Sequence, residues 1–461
     1  MTRELGKIAE NAKRIIPDQL SGLASRLWRC ERGAFAMIFA IAVIPLVIAA
    51  GVAVDLSRAF LVKQRLAFAL DSAGLAVGAI ATDDTADLNA EFSKYFYANY
   101  PSSNLGTPQN LSVTYDAGIV SVSGQAVVET AFMKIAGIND VTVSASAQME
   151  VETTGLEVVL VLDNTGSMGS GGKLDALKEA GQELIDTLFG DETAPDTLKM
   201  GLVPFSGSVN IGTSMSAYVN DTSAYDWGDS DWGGCVMARS GGDDQTDTYT
   251  TSDKWDPFYW PDNNSYNNWD RGTWYNIDDS PPSYIGPNKY CPLEVTPLTN
   301  SRTTLEDEID DMWAAGYTHI NFGAVWGWRM LSPDEPFTEG TSYGDADWNK
   351  AIIILTDGAN TTSNSVYTAY QHRSDGILGS TSSSGTSDEL DDRLSTVCTN
   401  IKAVGITVYT ITFQLSDTDT QAVFEACATD SDKYFNSPSN EDLQTAFRAI
   451  GAELKKLHIS Q

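Results

Sequence analysis

The sequence predicts a doubly wound, Rossmann-like α/β domain preceded by a membrane-spanning helix and a small α+β module. Four apolar runs, residues 158–162, 200–205, 352–355 and 406–413, are continuous rather than alternating, the pattern of parallel strands buried on both faces. Amphipathic helical patterns separate them, giving strand–helix alternation. Near the amino terminus, residues 34–54 run 21 positions without a charge.

That stretch, AFAMIFAIAVIPLVIAAGVAV, reads as a transmembrane helix, since at about 1.5 Å per residue it reaches roughly 30 Å. Pro45 inside it removes one backbone hydrogen bond, which membrane helices tolerate. The preceding residues 1–33 hold seven basic residues against four acidic ones. The positive-inside rule keeps them in the cytoplasm and exports everything from Asp55 onward. The expected location is the bacterial inner membrane, single-pass, with the carboxyl-terminal region periplasmic or at the cell surface. A cleaved signal peptide competes, with Ala49, Ala50 and Gly51 as its small residues, but 33 leading residues are long for one.

Composition agrees with export. Across 461 residues, 42% are hydrophobic and 20% charged, which is globular. The 29 basic and 62 acidic residues leave a formal charge of −33, which repels a phosphate backbone and excludes general nucleic-acid binding. Cys30 lies on the cytoplasmic side, and Cys235, Cys291, Cys398 and Cys427 form an even exported set. Paired as neighbours, Cys235 with Cys291 and Cys398 with Cys427, each bridge contributes about 3.5–4 kcal/mol by chain entropy. Four buried free thiols are the alternative.

Residues 55–152 form the small module. Residues 55–81 are Ala- and Leu-rich without Gly-Pro punctuation and predict a helix leaving the membrane. Val113, Tyr115, Val120, Val122, Val141 and Val143 then alternate with period two around the Asp116-Ala117-Gly118 turn, which predicts antiparallel strands. Residues 155–461 form the α/β domain. Leu174, Leu177, Leu184, Ile185 and Leu188 share one helix face, as do Leu390, Leu394, Val397, Ile401 and Val404 before Gly405. Thr303 with Glu306 reads as a capping box for a helix through Trp313, and Ser439 starts the last helix. An insertion at about 210–300 breaks the alternation. Between residues 219 and 291 it holds six of the eleven tryptophans and 13 Asp without Glu. Its aromatics read as the core of a disulfide-closed subdomain, with glycan or protein binding as the alternative.

The candidate site starts where the first strand of this domain runs into Asp163-Asn164-Thr165-Gly166-Ser167. Ligands of open α/β sheets bind at the carboxyl ends of strands. Asp163, Thr165 and Ser167 alternate along a tight turn and aim oxygens at one point, a donor set for a hard cation: Mg²⁺ first, with Ca²⁺ or Mn²⁺ as alternatives. A second carboxylate, Asp357, follows the strand AIIILT and precedes Gly358. This pattern resembles the metal-ion-dependent adhesion site of von Willebrand factor type A domains, D-x-S-x-S followed by a distant Thr and a later Asp. Asp163, Thr165, Ser167 and Asp357 match it, Thr165 standing where Ser is commoner, and Thr318 is assigned as the distant threonine, with Thr356 as its alternative. The resemblance implies that the three hydroxyls ligate directly while the carboxylates hold waters. An ion so held seeks a partner's carboxylate.

A second resemblance lies in Arg32-Gly33-Ala34-Phe35-Ala36-Met37-Ile38, Gly51-Val52-Ala53-Val54-Asp55 and Ala69-Leu70-Asp71-Ser72-Ala73-Gly74-Leu75-Ala76. These segments are similar to TadG-like proteins of the Tad/Flp pilus system, as is Trp326-Gly327-Trp328-Arg329-Met330-Leu331-Ser332-Pro333. Related pilins carry Glu five residues after the equivalent of Gly33; here Ile38 stands there, which argues against prepilin-type processing. The expected role is a non-enzymatic, membrane-anchored pilus-assembly or adhesion component that docks an acidic residue of a protein partner, such as a pilus subunit or assembly protein. A periplasmic scaffold with a vestigial metal site is the alternative. A haloacid-dehalogenase-like phosphotransferase lacks its second carboxylate, since Thr165 holds that position. The phosphate-loop likeness of residues 166–173 fails at Ser167 and Leu174. His319 is a candidate to line the crevice, and Asp243-Asp244 and Asp278-Asp279 are candidate Ca²⁺ contacts without EF-hand spacing.

Overall fold

The computed structural model describes residues 31–78, 88–101, 106–116, 119–150, 154–261, 266, 267, 269, 277, 278 and 283–459. Most of the expected cytoplasmic segment, Cys30 included, together with Trp274, Asp279 and the 117–118 turn, lies outside them. The chain divides into two compact units, Met1–Val151 and Glu152–Gln461.

The first unit is built on one helix, α1 (Glu31–Gly78), which runs without a break through Pro45. The span and the helix expected to follow it are therefore a single element. Among the described residues it is the one helix long and apolar enough to cross a membrane. Its character changes along its length. Met37, Ile38, Phe39, Ile41 and Ile44 are each more than half exposed, whereas Val62, Leu66, Ala69, Leu70, Ala73 and Val77 are buried. The buried stripe packs on α2 (Leu88–Asn99) through Phe92 and Phe96, and on an antiparallel sheet of β1 (Thr107–Asp116), β2 (Ile119–Glu129) and β3 (Asp140–Glu150). Alternation in β2 puts Val120, Val122, Ala126 and Val128 on the helix side, so the antiparallel expectation holds.

The second unit begins with β4 (Gly155–Asp163), buried at every residue. Then come α3 (Lys173–Phe189), β5 (Leu198–Phe205), β6 (Val209–Asn210), β7 (Cys235–Val236), β8 (Thr296–Thr299), α4 (Arg302–Asp311) and α5 (Ile320–Leu331). The chain closes with β9 (Trp348–Thr356), α6 (Ser383–Ala403), β10 (Thr407–Phe413), α7 (Thr418–Cys427), β11 (Tyr434–Ser437) and α8 (Asn440–Ile459). The sheet order is β11-β10-β9-β4-β5-β6-β7, with β8 also on β5. β11, β10, β9, β4 and β5 are parallel, and β6, β7 and β8 are antiparallel additions. Successive side chains of the central strands enter opposite layers. Val159, Val161, Ile352 and Ile354 meet α5 and α6, while Val158, Leu160, Ile353 and Leu355 meet α3 and α8. Helices on both faces of a parallel sheet make the doubly wound fold that the apolar runs predicted.

Three local expectations change. The cap of α4 is Ser301, whose hydroxyl accepts from Thr304 N–H, and the helix ends at Asp311. Glu306 accepts instead from Arg302 Nε at 2.7 Å, so no Thr303–Glu306 capping box forms. The tryptophan-rich insertion is split between two cores: Trp227, Trp232, Trp255 and Trp269 join the same buried cluster as Val161, Trp326 and Ile354, while Met237, Phe258 and Trp260 form a small cluster of their own with Val366. Trp260 packs with the Cys235–Cys291 bridge. Both neighbour disulfides form as expected, the second between Cys398 and Cys427. Asp244 is no calcium contact. Its carboxylate accepts from Tyr370 Oη at 2.7 Å and from Arg393 Nη1 at 2.5 Å.

One tie of the insertion to the sheet layer is Arg329, a fully buried residue of the wholly buried α5. Its guanidinium donates to the carbonyls of Thr246 and Asp243 at 2.9–3.1 Å. It also lies 4.6 Å from the ring of Trp326 and 5.1 Å from that of Trp255. Truncation leaves those carbonyls unpaired beside a cavity, so Arg329→Ala is expected to cost on the order of 3 kcal/mol, measured as a lowered urea midpoint by tryptophan fluorescence.

Candidate metal centre

Strand pairing assembles the site. β4 lies between β5 and β9, and the chain leaves it toward β5 before returning on its other side as β9. The winding therefore reverses between β4 and β9, the switch point at which open α/β sheets take ligands. Their register pairs Leu162 with Leu355, which sets Asp163 beside Thr356 at the carboxyl ends, with Asp357 one residue further on.

Asp163 is fully buried. Its Oδ1 accepts from Thr165 N–H at 2.8 Å, and its Oδ2 from the Thr356 hydroxyl at 2.7 Å and, more loosely, from Asp357 N–H at 3.4 Å. The Thr165 and Ser167 hydroxyls lie 3.0 Å apart, and Ser167 Oγ donates to Asp357 Oδ1 at 2.5 Å. Lys173, the first residue of α3, completes the group, its Nζ donating to Asp357 Oδ2 at 2.9 Å. Thr318 approaches from the loop before α5. A Cβ placed on Gly358 would stand 3.9 Å from both Ser167 Oγ and Thr318 Oγ1. The structure thus brings together all five residues singled out from the sequence.

Thr356, the alternative to Thr318, lies in the same group: its hydroxyl donates to Asp163 Oδ2 at 2.7 Å and stands 2.9 Å from the Gly358 carbonyl. Backbone ties hold the three contributing loops. Gly166 N–H donates to Gly316 carbonyl, Ala315 N–H to Asn164 carbonyl, and Thr361 N–H to Thr318 carbonyl. Asn164 Nδ2 donates to the Trp313 carbonyl, and Asn360 Oδ1 accepts from Ile320 N–H. Asn164, Asn360 and Lys173 escape a reading based on ligand types, because their task is to position loops or balance charge. The spacing of Lys173 at the start of the helix after the loop was the available signal. His319 does not line the crevice. It is fully buried, stacked 5.4 Å from the Tyr370 ring, and burial pushes its imidazole down to about 3.

The electrostatics suit a cation. Burial, then the neighbouring Asp357 charge, raises the Asp163 carboxyl to about 6. Among the described residues no three His, Cys, Asp or Glu side chains form a metal cluster, and the side-chain oxygens beside these two carboxylates are hydroxyls. Two adjoining carboxylates with three hydroxyls are oxygen-only donors, which fit a hard divalent ion.

The comparisons concern both units. Residues 33–81 match the family described as putative Flp pilus-assembly TadE/G-like. The amino-terminal segment is TadE/G-like. Within it, Ala69, Leu70, Ala73 and Gly74 face the sheet, and Asp71 and Leu75 are exposed. No curated protein sequence matches the chain. Among solved structures it is similar to the vWF domain of the type V pili tip protein Mfa5 from Porphyromonas gingivalis, with 13% identity over 67% of this chain and 97% of that one, TM-score 0.38. It is also similar to the pilus adhesin SpaC from Lactobacillus rhamnosus GG, with 12% identity over 77% of this chain and 35% of that one, TM-score 0.38. A third is proximal thread matrix protein 1 from the mussel byssus with a zinc-occupied MIDAS motif, with 14% identity over 65% of this chain and 48% of that one, TM-score 0.33. The chain thus spans about a third of SpaC and about half of the mussel protein.

The raised Asp163 pKa has a definite sign. The folded state holds this proton more tightly than the unfolded chain, so without divalent cation the group's contribution to stability falls as pH rises from about 4 to about 6 and is level above that. Urea titrations of the parent and Asp163→Asn in chelator are expected to diverge over this window, the parent losing stability relative to the variant as pH rises.

Proposed function

We propose that this protein is a membrane-anchored pilus-assembly or surface-adhesion component, its α/β unit exported, which binds a divalent cation and docks an acidic side chain of a protein partner. The anchor reading is supported by the bare apolar start of α1 and the basic excess before it. The metal reading rests on one observation: Asp163 and Asp357 adjoin at the switch point with the hydroxyls of Thr165, Ser167 and Thr318 around them.

These five residues would hold the ion, Mg²⁺ by the hardness of the donors, with Ca²⁺ or Mn²⁺ as competitors. A bound cation supplies a Lewis-acid position for a carboxylate oxygen from outside. The chain does the rest. Thr356 and the Thr165 amide hold Asp163 in one rotamer, and the Thr318–Thr361 tie holds the third hydroxyl in place. Lys173 neutralises Asp357 and so competes with the cation for the same charge. This chemistry takes up a ligand and needs no turnover, which favours adhesion or assembly over hydrolysis.

Asp163→Ala combined with Ser167→Ala is expected to abolish Mg²⁺ uptake in calorimetry and Mg²⁺-dependent capture of pilus subunits, with the fold retained by circular dichroism. Capture that persists in chelator overturns the docking role. Lys173→Met is expected to tighten Mg²⁺ binding by at least about tenfold, because it removes a like charge a few Å away, and to lower thermal stability in chelator.

A further inference from the structure

We propose that the loop of residues 130–139 inserts its apolar tip into the bilayer interface beside the span, giving the TadE/G-like unit a second membrane contact. The inference rests on the anchor reading above. The loop is closed at its base, where Thr130 N–H donates to the Asn139 carbonyl at 3.0 Å and the Thr130 hydroxyl to the Ile138 carbonyl at 2.5 Å. It is pinned to α1 by Asp55, whose carboxylate accepts from the N–H groups of Ala131, Phe132 and Met133 at 2.8–3.0 Å.

The pinning fixes where the loop lies. A Cβ on Gly51 would stand 2.6 Å from Phe132 Cβ, so Phe132 covers the helix one turn before Asp55, on the side of the apolar stretch. Beyond it, toward the amino terminus, none of residues 37–50 is buried. The bare helix and the loop therefore share one end of the unit. At the tip, a short 3₁₀ turn over Met133–Ala136, ended by Gly137 at φ 84°, presents side chains outward. Phe132 is 43%, Ile135 80% and Ile138 45% exposed.

Composition identifies the occupant as lipid. In a chain with 62 acidic residues the loop has none, and its one charge is Lys134, placed to reach headgroups while its neighbours enter the acyl boundary. Three large apolar side chains grouped on a surface loop mark a contact, and the span beside them supplies the surface. Asp55 meets the boundary with its carboxylate already satisfied by three N–H groups, so it does not oppose approach. With the loop seated, the unit has a fixed rotation about the helix axis instead of a single pivot.

The test uses the full chain with Cys30→Ser in nanodiscs, carrying an NBD label through Ile135→Cys, Ile44→Cys or Gln148→Cys. The expected result is blue-shifted emission at positions 44 and 135, quenched by nitroxide lipid, with position 148 quenched by aqueous iodide alone. Iodide quenching at 135 with lipid quenching at 44 overturns the loop contact and leaves the anchor standing. Shielding of 135 from both quenchers means that a second copy or a partner protein covers the loop, which also overturns it. Loss of lipid quenching at 44 overturns the anchor reading and this inference with it.

Discussion

The parallel pairing of β4 with β9 is the constraint on which the α/β unit depends. It joins segments far apart in sequence into the centre of the sheet, and its register brings two carboxylates, 194 positions apart in the chain and offset by one residue, to neighbouring strand ends. Each strand is buried along its central length on both faces, so a one-residue slip would exchange every side chain between two differently packed layers. The same packing that stabilises the sheet therefore also fixes the separation of Asp163 and Asp357.

The other end of β4 shows what a structural acid looks like here. Glu157, also fully buried, pairs with Lys350 and with Lys199 at 3.3 Å, and accepts from Thr341 N–H. Its charge is compensated by cations within the fold. Asp163 has hydroxyls and amides for neighbours and a second carboxylate beside it, and Lys173 reaches only Asp357. Two buried acids on one strand thus differ: Glu157 is matched by internal cations, whereas Asp163 is held by hydroxyls and amides beside a second carboxylate.

The first unit uses an acid differently again. Asp55 gathers three backbone N–H groups and so ties an apolar loop to the helix where helix packing begins. One turn earlier, Gly51 removes the side chain that would keep Phe132 away. The glycine and the aspartate of the G-x-x-x-D segment therefore have a shared physical task, docking a loop on a helix. No ligand is needed to explain them within the TadE/G-like segment.

Periodicity and residue chemistry by themselves pointed to the long apolar helix, the antiparallel strands, the doubly wound class and the disulfide partners, because each of these signals is local or is carried by rare residue types; the five candidate site residues were singled out only with the help of a family resemblance. Packing decided what remained. The tryptophans of the insertion read as a core but not as whose core, since an aromatic-rich segment looks alike whether it packs on itself or on Trp326 and Ile354. Asp244 looked like a cation ligand until Arg393 and Tyr370 arrived from distant elements, and His319 looked like a crevice residue until α5 and Tyr370 enclosed it. A charge or a ring in sequence states what it can bond. Only the fold, by fixing which partner reaches it first and how much water is excluded, decides what it does bond.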